Sequence, residues 1–176
     1  MDTQTNSISS AKAKVILFAI SLGLLTIVPG FIHSQWITGS MVNAVLLISA
    51  VLIGSMEAVL LGLFPSTVAL SSGLLPINLA PMVPFIMISN AILIAVFHYT
   101  YKKNIFGAIG ISALLKFAFL HFSVTLIMSK LLPSQLTASL AVMMSWPQFA
   151  TALIGGAVAY GILKFRKRDI TETPVE

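Results

Sequence analysis

The chain has 176 residues, 57% hydrophobic and only 9% charged, with a mean hydropathy of +1.00. A soluble domain carries about 25% charged residues, so the composition excludes the ordinary water-soluble class and points to a membrane protein. There is no cysteine, which removes disulfide frameworks and cysteine-based zinc or redox sites. The net charge of +5 does not indicate nucleic acid, because the basic residues border apolar runs and form no basic face with interleaved aromatics.

Crossing a bilayer takes about 20 apolar residues at 1.5 Å each. Residues 1–12 read as a polar cytoplasmic segment ending near Lys12 and Lys14. The first span runs from about Ala13 to Val28 and stops at Pro29-Gly30. No small-x-small cleavage site follows it, so it reads as a retained helix rather than a signal peptide. Phe31 to Gly39 reads as a loop carrying His33, Gln35 and Trp36. The second span covers about Ser40 to Ile53 and the third about Ala58 to Leu70, separated by Gly54-Ser55-Met56-Glu57. Pro76, Pro81 and Pro84 make the next stretch irregular. A fourth span runs from about Val83 to Tyr101 and ends at Lys102-Lys103-Asn104. The fifth occupies Phe106 to Met128. A loop around Pro133 leads to the sixth, about Leu140 to Phe165, interrupted near Ser145-Trp146-Pro147-Gln148. Residues 166–176 read as a charged, disordered cytoplasmic tail containing Pro174.

The expected fold is therefore all-α: a polytopic six-helix transmembrane bundle over residues 13–165. With six spans both termini share a side. Lys12, Lys14, Lys102, Lys103, Lys164, Arg166, Lys167 and Arg168 fall on that side, whereas the opposite loops hold only Lys130. The positive-inside rule makes it the cytoplasmic side of the cell membrane.

The fifth span contains ALLKFAFLHF, Ala113 to Phe122. A lysine near the bilayer centre costs roughly 2.5–3.5 kcal/mol on insertion scales, so Lys116 should face protein or water rather than lipid. Two roles are open to it. It is a ligand counter-ion or proton-handling group, or it pairs with Glu57 or extends its stem toward the headgroups. His121, five residues on, sits about 140° round the helix and serves either a wide cleft or aromatic packing.

Asn43, Asn90, Lys116 and His121 fall in the middle or outer half of their spans. Together with His33, Gln35, Trp36, Asn78, Trp146 and Gln148 they gather toward the outer side, as an outward-opening binding pocket requires. Trp36 and Trp146 read first as interface anchors, with stacking at a pocket mouth as the alternative, and Asn43 and Asn90 read as amides that join helices or contact a ligand. Ala19 and Gly23 form a small-xxx-small pair on the first helix, as do Gly155 with Ala159 and Ala157 with Gly161 on the sixth. No GxSxG, HExxH or phosphate loop occurs, and Glu57 is the sole acid within the spans, so an enzyme, a metal site and a cofactor are not expected.

In size, six short spans, basic cytoplasmic termini, a substantial first outer loop and the lysine–aromatic–histidine fifth helix, residues 11 to 168 resemble the substrate-binding S components of energy-coupling factor (ECF) vitamin transporters. ALLKFAFLHF is similar to the fifth helix of the thiamine-type members. The resemblance implies capture of a vitamin or related micronutrient, a small polar molecule, on the outer side. It also implies partnership with a transmembrane coupling subunit and two ABC-type ATPases. It places docking on the first helix, where the family's alanine-xxx-alanine pattern is met here by Ala19-xxx-Gly23. The alternatives are a structural membrane subunit of a larger complex, with Lys116 paired internally, and a small ion-coupled carrier acting alone.

Overall fold

A computed structural model describes residues 2–131 and 134–172, and among these every regular element is helical. Five segments are long and apolar enough to cross a membrane: Ala11–Phe31, Gln35–Leu52, Leu79–Thr100, Ile105–Ile127 and Ala141–Phe165. A sixth, Ser55–Ser71, is apolar but shorter. In hydrocarbon a backbone must satisfy its own hydrogen bonds, which is why the apolar runs take up helix.

Helix α1 spans Asp2–Phe31 and passes through Pro29-Gly30, where the sequence suggested a stop. Pro29 lies in the last turn and its carbonyl accepts from Ser72 Oγ (3.0 Å). The link from α1 to α2 is only Ile32 to Ser34, because α2 occupies Gln35–Leu52. The expected loop over 31–39 is thus mostly helix. Its polar residues Gln35 and Thr38 face inward rather than marking a loop, with Thr38 at 5% exposure and bonded through Oγ1 to the Ile32 carbonyl (2.8 Å).

Gly54, at φ 149°, turns the chain between α2 and α3 (Ser55–Leu61), a conformation that favours glycine. Helix α4 (Phe64–Ser71) follows after a break at Gly62-Leu63. Pro65 has no N–H to donate into a continuous ladder, so the expected third span is two short helices. A 3₁₀ segment, Ile77–Met82, takes up the proline-rich stretch and leads into α5 (Val83–Thr100). Helix α6 (Ile105–Phe122) starts at Asn104, whose side-chain oxygen accepts from the Phe106 and Gly107 amides, and it widens into a π-helical turn over Ser123–Met128. The short α7 (Ser129–Leu131) and α8 (Ser134–Met143) replace most of the expected loop, and Pro133 lies outside the described residues. After a break at Met144-Ser145, α9 runs from Trp146 to Glu172. The tail expected to be disordered is helical through residue 172, and residues 173–176 lie outside the described residues.

Helices α2 and α9 run side by side at close range. Gly39 approaches Thr151, and Gly155 sits so near α2 that an added Cβ would meet the Ser40 carbonyl at 2.6 Å. Gly156 packs in the same manner against Ile109 of α6. These glycines bring three backbones together around a common centre. The links α1–α2, α4–α5 and α6–α8 collect at one end of the bundle. Lys102, Lys103 and Lys164 line a shared recess at the other.

Candidate functional site

On α6 the buried residues Ala108, Ser112, Lys116 and Leu120 recur every fourth position and form one inward stripe. Lys116 is 3% exposed. Its ammonium donates to Asn43 Oδ1 of α2 (2.7 Å) and to Asn90 Oδ1 of α5 (2.8 Å). An ammonium has donors only, so both amides turn their oxygens toward it. Asn90 in turn donates through Nδ2 to the Gly62 carbonyl (3.0 Å). That carbonyl sits at the C-cap just past α3 and is one of the orphan acceptors left where a helix ends. The break before Pro65 therefore fixes Asn90, and Asn90 helps fix the lysine.

Neither internal alternative for Lys116 is realised. Glu57 stands in the first turn of α3 with its carboxylate folded against Gly54. The lysine stem does not extend to a bundle end, since its ammonium is held by residues midway along α2 and α5. Two charge-assisted bonds to neutral amides offset only part of the several-kcal/mol penalty of burying a cation. Among the described residues the ammonium has no charged partner, so a positive charge held there is uncompensated.

Beside the ammonium lies a cavity of about 110 Å³ that reaches the surface at the α1–α2, α4–α5 and α8–α9 end. Its polar wall is Gln35, Thr38, Asn43, Ser66, Asn90, Lys116 and Gln148, and the rest is apolar, including Met143 and Met144. Among the described residues no carboxylate lines it. Gln35 Nε2 donates to the Met143 carbonyl (2.9 Å), and Gln148 Nε2 reaches the same oxygen at 3.5 Å. Ser66 is 3% exposed and its hydroxyl has no hydrogen-bond partner among the described residues. An orphaned buried hydroxyl in a cavity wall is a feature that calls for an explanation.

Of the ten residues that the sequence suggested for a pocket, Gln35, Asn43, Asn90, Lys116 and Gln148 meet in this wall. Trp36 and Trp146 stand outside it, both exposed, with ring centroids 5.2 Å apart. His33 is exposed and donates through Nε2 to the Ser72 carbonyl (3.2 Å). His121 points elsewhere, its ring stacked on Phe117 with centroids 5.7 Å apart. The Asn78 side chain lies outside the described residues. Among the described residues, no group of three His, Cys, Asp or Glu could hold a metal.

The sequence reading missed Thr38, Ser66, Met143 and Met144. Nothing in the local pattern marks Ser66, which follows a proline and reads as part of a helix break. The Met143-Met144 pair was a usable sign, since methionine provides adaptable walls for a small ligand. Ala19 of the expected docking pair is exposed, and a Cβ at Gly23 would touch nothing within 4 Å. Both lie clear of the internal packing.

No protein-family model, no curated protein and no solved structure matches the chain.

Proposed function

We propose that this protein is a non-enzymatic, membrane-embedded binding subunit for uptake of a small polar micronutrient. It works with a transmembrane coupling subunit and two ABC-type ATPases, in the manner of the ECF S components that its sequence resembles. The observation that carries this reading is a buried ammonium held by Asn43 and Asn90 beside a cavity that opens at one end of the bundle. A bundle stabilised for its own sake gains nothing from a lone buried cation, because apolar residues of similar volume are as stable or more so. A binding site does gain, because the charge supplies orientation and affinity.

The basic end of the bundle faces the cytoplasm by the positive-inside rule, so the cavity opens outward. Trp36 and Trp146, a contacting pair outside the cavity wall, are the aromatic groups that would close over its mouth on binding. Ala19 and Gly23, on an apolar face of α1 that no other helix covers, meet the coupling subunit. The test is mass spectrometry of molecules released from the purified protein, with co-isolation of its partners from native membranes. A bound micronutrient together with ATPase subunits is the expected result.

One observation favours a second reading. Lys116 joins α2, α5 and α6 through its two amide partners, as a purely structural clasp in a larger assembly would. That reading expects an empty cavity and no ATPases.

A further inference from the structure

We infer that the molecule bound beside Lys116 is a small monocarboxylate with a compact apolar body, and that neutral amides and amines are rejected. The inference rests on the receptor reading above and adds to it the chemical class of the ligand.

Three features of the cavity argue for it. An ammonium has three N–H donors, and Asn43 and Asn90 take two of them. Among the described residues the third has no acceptor, and Lys116 lines the cavity. The first need is therefore an acceptor. Second, among the described residues no aspartate or glutamate lines the cavity, so a bound carboxylate would bring a negative charge that those residues do not supply. In a low-dielectric site a charged acceptor is favoured over a neutral one, and a cationic ligand meets repulsion with nothing to offset it. Ser66, whose hydroxyl has no partner among the described residues, belongs to the same wall and is a further donor that a shift of its side chain would offer.

Third, size limits the body. A cavity of about 150 Å³ accepts benzene, and this one is about 110 Å³ and open at its mouth. Its enclosed part holds a body somewhat smaller than benzene, with the remainder reaching through the open mouth toward Gln35 and Gln148. The walls between, including Val42, Leu75 and Ile86, are apolar.

The test is calorimetric titration of the purified full chain with benzoate, benzamide and benzylamine, and with butyrate and butyramide. Molecules released from the protein as isolated are identified in parallel. The expected result is that a carboxylate binds at least about tenfold more tightly than its amide, the worth of one charge-assisted bond. That preference disappears in Lys116→Met and shrinks in Ser66→Ala. The comparison of carboxylate with amide in the unaltered protein needs no variant to fold. An amide or amine that binds as well as the carboxylate, or a released molecule without a carboxylate, overturns the inference and leaves the receptor reading standing. If nothing in the panel binds and nothing is released, both fall.

Discussion

Gly155 of α9 lies directly against Asn43 of α2: a Cβ built on the glycine would stand 2.7 Å from the asparagine's own Cβ and 2.9 Å from the Ala44 amide nitrogen. The amide that holds Lys116 therefore rests on a neighbouring backbone, and its position depends on a residue that touches neither the lysine nor the cavity. Gly155→Ala should push α2 and α9 apart at this level and cost about 1–3 kcal/mol, the usual penalty of overpacking. Thermal unfolding in detergent measures it. Gly161→Ala is the control, since a Cβ there meets nothing within 4 Å, and it should be neutral or slightly stabilising.

Removing one acceptor from a buried cation is more damaging than removing the whole polar cluster. Asn43→Ala or Asn90→Ala leaves the ammonium short of a partner, and each should destabilise by about 1–3 kcal/mol or more. Replacing Lys116, Asn43 and Asn90 together by Met, Leu and Leu should leave stability equal to or above that of the parent. Chemical or thermal unfolding of the single and triple variants checks this ordering. A triple variant less stable than either single would mean that the cluster is a structural clasp.

The tryptophan pair predicts a coupling. Trp36 and Trp146 meet at 5.2 Å between centroids, and aromatic pairs of this kind are worth about 0.5–1.5 kcal/mol beyond burial. A double-mutant cycle of Trp36→Ala and Trp146→Ala, read by thermal unfolding, should return a coupling of that size.

Orientation can be measured directly because the chain has no cysteine of its own. Ser71 and Lys103 are both exposed and lie at opposite ends of the bundle. A Ser71→Cys variant should react with a membrane-impermeant maleimide on intact cells. A Lys103→Cys variant should react only after permeabilisation. The reverse pattern would place the cavity mouth on the cytoplasmic side.

Much of this arrangement was legible in the sequence, and the reasons differ element by element. Long apolar runs gave the helices, because hydrocarbon leaves a backbone no other solution. Lys116 was conspicuous because few residues are so costly in that position. Its partners were readable as buried amides but not as its partners, since pairing across 73 and 26 positions of sequence is a property of the packing alone. Breaks were harder. Pro29 and Pro133 suggested loops, yet the helix runs on through Pro29 to Phe31 despite the ladder bond to the Leu25 carbonyl that proline cannot make, and helix resumes at Ser134. The stretch from Gln35 to Gly39 looked like a loop because it is polar. Its polarity instead belongs to a helix face turned toward a cavity, a case that pattern reading assigns to solvent by default. Ser66 carried no sequence signal, because an orphaned hydroxyl is defined only by what surrounds it.

That the buried charge of Lys116 holds a ligand is the proposal on which the proposed function depends. Its most direct test is the amount of small molecule retained per protein by the parent and by Lys116→Met, each purified in the same detergent and shown by its unfolding transition to be folded. A bound molecule in the parent and an empty, folded variant are expected. Equal content in the two proteins, whether full or empty, would contradict it.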